Sequence, residues 1–167
     1  EVHRPLPRLP PCAALQELEG AIRKCREAQA EQADGTWEGH CAPEQIEFLR
    51  RFMAWRFGGP QDDGRAPLRI CQVGFNAGHS AVALLDQAPP GSILVSLDLG
   101  RHGYTRPLDA VVKRIAEERG SKHLLLLGDS AEMLPRFRHI GFDLVFIDGN
   151  HAYEAVTMDL WNCLLLA

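Results

Sequence analysis

A chain of 167 residues, 46% of them hydrophobic and 24% charged, can bury one substantial core and is short enough to be a single domain. Its formal net charge of −4 gives no reason to expect nucleic acid or an anionic membrane as a partner, and no apolar run approaches the ~20 residues of a membrane span. The five cysteines (Cys12, Cys25, Cys41, Cys71 and Cys163) are odd in number and form no Cys-x-x-Cys pair, which argues against a zinc ribbon or a disulfide framework and makes a reducing, cytoplasmic compartment the default.

In chain order, residues 1–11 carry four prolines and read as an extended, poorly ordered lead-in. Leu15, Leu18, Ile22 and Cys25 then recur at helical spacing, predicting an amphipathic helix from Ala13 to about Gln32 that Asp34 and Gly35 end. A loop from Thr36 through His40 to Cys41 precedes Pro43, which opens a second helix with Ile46, Leu49, Phe52, Met53 and Phe57 on its inner side. Residues 58–67 form a turn-rich linker, so that two helices occupy residues 1–60 and a core occupies 66–167.

The core opens with an apolar run over residues 68–73 that breaks into Gly74, Phe75, Asn76, Ala77 and Gly78 and continues as Ser80, Ala81, Val82: a strand, a tight turn and a helix. Gly74 suits a backbone conformation that a Cβ penalises, Gly78 permits close approach of a ligand, and the new helix directs free N–H groups there. Strands over 93–97, 123–127 and 143–147 alternate with helices that begin near Thr105 and Pro107, over 131–137, and over 152–167. Near-continuous apolar strands separated by amphipathic helices predict a doubly wound α/β domain, a parallel sheet in the order 3-2-1-4. In the last helix Tyr153, Val156, Leu160 and Cys163 or Leu164 are expected to face the core, while Asp143 and Asp159 are expected in solvent.

Ligands of such sheets gather at the carboxyl ends of the strands. The residues there are Gly74 to Gly78, then Asp98, then Gly128, Asp129 and Ser130, and finally Asp148, Gly149, Asn150 and His151. Asp98 is placed to accept hydrogen bonds from ribose hydroxyls. Phe75 and Asn76 stand where a pyrophosphate-binding turn needs a middle glycine, and no Lys-Ser or Lys-Thr follows Gly78, so a dinucleotide and a Walker-type phosphate site are both disfavoured. His151 is either a proton acceptor near neutral pH or a residue that caps the last helix. His79 and His40 could each line a pocket.

The run Gln72, Val73, Gly74, Phe75, Asn76, Ala77, Gly78, His79, Ser80 resembles the first motif of the class I S-adenosylmethionine-dependent methyltransferases, with Gln72 where that family usually has Glu or Asp. The resemblance runs from about Pro43 to the end. It implies a Rossmann-like fold in which Gln72, Gly74, Phe75, Asn76, Gly78 and Ser80 line the cofactor, Asp98 holds its ribose, and Gly128, Asp129 and Ser130 meet its adenine edge. Ile147 to Glu154 (Ile-Asp-Gly-Asn-His-Ala-Tyr-Glu) is similar to small-molecule O-methyltransferases of the catechol and caffeoyl-CoA type and their antibiotic- and sugar-modifying relatives. That likeness implies a small hydroxylated methyl acceptor, catalytic roles for His151 and Asp148, and a divalent cation such as Mg on Asp148 whose other two ligands would lie past Ala167. The chain is accordingly expected to be incomplete after its fourth strand, with an open sheet edge through which two copies could form a homodimer. A nicotinamide-dependent oxidoreductase and a non-catalytic cofactor-binding module are the alternatives.

Overall fold

The protein is described by a computed structural model that covers residues 5–30, 37–38, 41–58, 64–164 and 166. The helix stop expected at Asp34 and Gly35, the loop positions Thr36 and His40, and linker residues 59–63 lie outside the described residues. Six α-helices, α1 (Ala13–Ala30), α2 (Pro43–Phe57), α3 (His79–Asp86), α4 (Thr105–Glu118), α5 (Ser130–Met133) and α6 (Tyr153–Cys163), accompany four strands, β1 (Arg69–Val73), β2 (Ile93–Asp98), β3 (Lys122–Leu127) and β4 (Leu144–Ile147). A short 3-10 turn, Leu134–Phe137, extends α5. All strand pairs are parallel and the order is β3-β2-β1-β4, as the alternation of elements predicts.

Successive strand residues point to opposite faces, and the sequence fills the two faces separately. Ile70, Leu94, Leu125, Leu144 and Phe146 share one core with α3 and α4, to which Leu108, Val112 and Ile115 contribute their predicted stripe. Cys71, Val73, Val95, Leu97, Val145 and Ile147 share the other with Leu134, Phe137, Cys163 and Leu166. Outside α3 and α4 lies a further layer, in which α2 packs on α3 and α1 packs on both, burying Leu18, Ile22, Leu49 and Met53.

The proline-rich lead-in is tied down over its described part, because the carbonyls of Leu6, Pro7 and Pro10 accept hydrogen bonds from Arg51 and Arg50 of α2. In α6 Cys163 is buried as expected and Val156 is half-buried, but Tyr153, Leu160 and Leu164 are exposed, Tyr153 by 81%, and Asp159 and Asn162 turn inward in their place. The inner face meets Ser130, whose hydroxyl donates to Asp159 at 2.6 Å. Leu166 is buried although its neighbour Leu164 is not. Among the described residues β4 pairs only with β1, which leaves its other edge open.

One buried ionic cluster joins the layers. Asp86, at the end of α3, accepts hydrogen bonds from Arg50 Nε at 2.8 Å, Gln87 Nε2 at 2.6 Å and the Cys12 thiol at 3.1 Å, and lies 2.7 Å from Arg119 Nη2. Burial pushes its carboxyl up, but the bonds from Gln87, Cys12 and Arg50 and the charge of Arg119 outweigh that and hold it below the usual carboxylate range. Its folded value is thus depressed, so its stabilisation is complete above the unfolded value of about 4 and is lost as pH falls through the folded one. Asp86→Ala, which strands the buried Arg50 guanidinium, should cost about 3–5 kcal/mol in chemical denaturation at neutral pH. Asp86→Asn should remove this residue's share of the fall in stability below about pH 4, checked by repeating the denaturation across that range.

Candidate functional site

The carboxyl ends of β1, β2 and β4 meet at the turn that follows β1. Gly74 has φ 90° and Gly78 φ 88°, the left-handed region that favours glycine. A Cβ on Gly74 would run into the carbonyl of Asp148, so the turn presses backbone to backbone against the loop after β4. A Cβ on Gly78 would meet Val112 and the Phe75 ring. Asn76 adopts φ 50°, a conformation Asn tolerates better than most residues. α3 then begins with no side-chain cap, which leaves first-turn N–H groups free of helix partners.

Asp98, half-buried at the end of β2, lies at the same end of the sheet as Gly74 and organises the turn directly. Its Oδ2 accepts the backbone N–H groups of Phe75 at 3.0 Å and Asn76 at 2.9 Å, and its Oδ1 accepts that of Gly100 at 2.7 Å. A carboxylate offers about four lone-pair positions, so one on Oδ1 is left for a further donor.

An aromatic wall that sequence reasoning missed stands beside this carboxylate. The Tyr104 hydroxyl donates to Asn76 Oδ1 at 2.8 Å, and its ring packs 4.2 Å from Trp37 and 4.9 Å from His102. Burial, followed by the charges of Glu38 and Asp98, pushes that hydroxyl up to about 12, so it remains a donor. Asn76 Nδ2 also donates to the Glu38 carbonyl at 3.2 Å.

Past β3, Asp129 caps α5 by accepting the Ala131 N–H at 2.9 Å, and the Gly128 N–H donates to the Asp98 carbonyl. Asp159, expected in solvent, is 3% exposed, and burial together with the nearby charge of Asp129 pushes its carboxyl up. After β4, Asp148 is exposed, with its N–H bonded to the Val73 carbonyl, and the Asn150 side chain accepts the Ala152 N–H. His151 is exposed and makes no hydrogen bond or ion pair among the described residues. On the other flank His79 Nε2 lies 2.8 Å from Glu19 of α1. Burial and the charges of Glu19 and Asp148 push the Cys41 thiol up to about 11.

The side chains of Gln72, Phe75 and Ser80 turn inward. Gln72 is fully buried, its Nε2 donating to the Gly74 carbonyl at 2.7 Å and lying 2.6 Å from Ser80 Oγ. Ser96 Oγ donates to Gln72 Oε1 at 3.1 Å and lies 2.9 Å from His123 Nε2. The His123 ring stacks on Phe75 and reaches Asp109 of α4, which also accepts from Lys113 at 2.8 Å. The sequence signal for this chain was three polar residues interrupting three apolar strands. Among the described residues no group of three or more His, Cys, Asp or Glu side chains is arranged to hold a metal ion.

A glycine turn, an uncapped helix and an acidic residue at the next strand end thus lie together at the carboxyl ends of the strands of a doubly wound domain, the end at which ligands of such sheets gather. Residues 71–166 match the family model described as a methyltransferase domain, and since this is more than half of the chain, the chain belongs to that family. A comparison with curated proteins gave no significant match. Among solved structures, the chain is similar to the O-methyltransferase TomG of Streptomyces achromogenes, involved in tomaymycin synthesis and solved with SAM (TM-score 0.61, 20% identity, 92% of this chain and 61% of that one). It is also similar to an O-methyltransferase of Bacillus cereus solved with SAH (TM-score 0.56, 18% identity, 92% and 62%). A branched-chain polyamine synthase of Thermus thermophilus, solved with N4-aminopropylspermidine and 5'-methylthioadenosine, shares the fold as well (TM-score 0.54, 18% identity, 99% and 48%). The chain thus spans about three fifths of the length of the two O-methyltransferases.

If Asp98 holds the turn as described, Asp98→Ala should destabilise the ligand-free protein by about 1.5–3 kcal/mol, the worth of hydrogen bonds to a charged group. Hydrogen exchange at the Phe75, Asn76 and Gly100 amides should accelerate more than at the β1 amides. Unchanged exchange at those three positions would mean that the carboxylate does not hold them.

Proposed function

We propose that the chain carries the cofactor-binding part of an S-adenosylmethionine-dependent methyltransferase that acts on a hydroxyl oxygen of a small molecule. The observation that carries this reading is the turn over residues 74–78, backed by the uncapped start of α3 and held by Asp98 with one acceptor position to spare. In this reading the open lone pair of Asp98 Oδ1 receives a ribose hydroxyl, and Gly128, Asp129 and Ser130 flank the adenine. Gly74, Gly78 and the backbone of Phe75 and Asn76 line the path, while the free N–H groups of α3 meet the carboxylate of the methionine moiety. When bound, the sulfonium supplies a methyl group for in-line transfer to a nucleophilic oxygen. The chain's part is to align the acceptor and take its proton.

Asp148 and His151 are the residues proposed for that acceptor side, being exposed at the mouth formed after β4. Asp148 would give a divalent cation one carboxylate ligand, and among the described residues no further His, Cys, Asp or Glu side chains are grouped with it to complete a site. Five cysteines without a disulfide support a reducing, cytoplasmic setting. Association of two copies is part of the proposal, through the β4 edge that is unpaired among the described residues. Against a nicotinamide cofactor stands the turn itself, since Phe75 and Asn76 occupy the place of the middle glycine of a pyrophosphate-binding turn, Phe75 is buried and the amide of Asn76 is already bound to Asp98.

Titration calorimetry with S-adenosylhomocysteine and with NAD tests the assignment. The sulfur cofactor should bind more tightly, and Asp98→Ala should weaken it by about 1.5–3 kcal/mol, or roughly 10- to 150-fold. Tighter binding of NAD, or unchanged affinity in that variant, would remove the reading.

A further inference from the structure

The chain of buried polar side chains behind the turn has one consistent arrangement of protons. A carbonyl only accepts, so the Gly74 carbonyl fixes Nε2 as the end of the Gln72 amide that faces it. Oε1 must then face Ser96, and the single hydroxyl proton of Ser96 points at it. With that proton spent, Ser96 can meet His123 only as an acceptor, which places a hydrogen on His123 Nε2. The other ring nitrogen, Nδ1, lies 3.1 Å from Asp109 Oδ1. A bare lone pair there would oppose a carboxylate in a buried site, so a second proton belongs between them. Burial tends to push the Asp109 carboxyl up, but its contacts with His123 and Lys113 outweigh burial and hold it below its usual range, so Asp109 is the acceptor of the pair. The contact is bent: neither Nδ1 nor Oδ1 has an aligned hydrogen-bond partner, so the pair is held by charge more than by geometry.

We propose that His123 is a positioning residue for the cofactor turn, acting through Ser96 and Gln72 on Gly74 and Ser80, and that the turn is set when the ring carries both protons. The groups facing the ring are Asp109, with Lys113 behind it, on α4, Ser96 on β2 and the Phe75 ring on the turn. If the ring loses a proton and keeps the one on Nε2, its lone pair faces Asp109. If it keeps the one on Nδ1, Ser96 must donate to the ring and Gln72 Oε1 loses its donor. The first keeps the Ser96–Gln72 bond but sets a lone pair against a buried carboxylate, so deprotonation favours the second, which loosens the amide that clamps the Gly74 carbonyl. Neither needs a ligand, so the coupling exists in the free protein, and its effect on cofactor affinity rests on the function proposed above.

The test follows the His123 imidazole and the Gly74 and Ser80 amides by NMR across pH in the ligand-free chain, with S-adenosylhomocysteine calorimetry alongside. The ring and both amides should titrate with one midpoint, and the amides should cease to follow it in His123→Gln. In Ser96→Ala, a smaller change kept in case His123→Gln does not fold, the ring should still titrate while the amides stay still. Wild-type affinity for S-adenosylhomocysteine should fall several-fold as pH rises through the shared midpoint and stay flat in either variant. Amides that ignore the ring, or that keep its midpoint in Ser96→Ala, would overturn the proposal. Amides that follow the ring in a protein that binds no S-adenosylhomocysteine at any pH would support the positioning chain and overturn the cofactor reading instead.

Discussion

The constraint on which the site depends is the contact between two stretches of bare backbone, the turn at Gly74 and the loop at Asp148. These are the carboxyl ends of β1 and β4, adjacent strands on opposite sides of the point where the chain reverses its direction of travel through the sheet. Because a single carbon added to Gly74 would strike the Asp148 carbonyl, the strands can close to normal spacing only with glycine there. That closure leaves the turn's own N–H groups pointing away from β4, and the chain meets their need for an acceptor with Asp98 from the neighbouring strand. Turn, carboxylate and helix start are thus one mechanical unit.

Position 72 shows how that unit is supported from within. The methyltransferases this chain resembles usually carry an acid there, and an ionised acid only accepts hydrogen bonds. Gln72 can both donate to the Gly74 carbonyl and accept from Ser96, which a carboxylate in the same buried place could not do without a proton. The amide therefore belongs with Ser96 and His123 as a set, each needing the next to satisfy its polar atoms in an interior where an unmet one is costly.

Much of the architecture was legible because the signals were local. Apolar runs in Ile70, Cys71 and Val73 or in Leu94, Val95 and Leu97, each closed by a turn, announce buried parallel strands, and the stripe of Leu108, Val112 and Ile115 announces the helix that covers them. Asp98 was legible as a site residue by its place after β2. Its grip on Phe75, Asn76 and Gly100 was not, because that depends on how two loops approach one another in space. Gln72, Ser96 and His123 each interrupt an apolar strand, yet only the register of three strands puts them on one face. The inner side of α6 was misjudged for a related reason: spacing selects the most apolar stripe, whereas Asp159 is drawn inward by its bond to Ser130. Tyr104 and Trp37 lie far apart in the chain and carry no shared pattern, so their stacking appears only in the fold.

The central claim, that a nucleoside cofactor lies along the 74–78 turn with its ribose at Asp98, is tested most directly by a crystal structure of this chain grown with S-adenosylhomocysteine. The account predicts density along the turn, a ribose hydroxyl within hydrogen-bonding distance of Asp98 Oδ1, and the amides of Phe75 and Asn76 still on Oδ2. Density for the ligand elsewhere, for instance in the open groove on α1 between Glu19, Arg23 and Arg26, with Asp98 bonded as it is now, would contradict it.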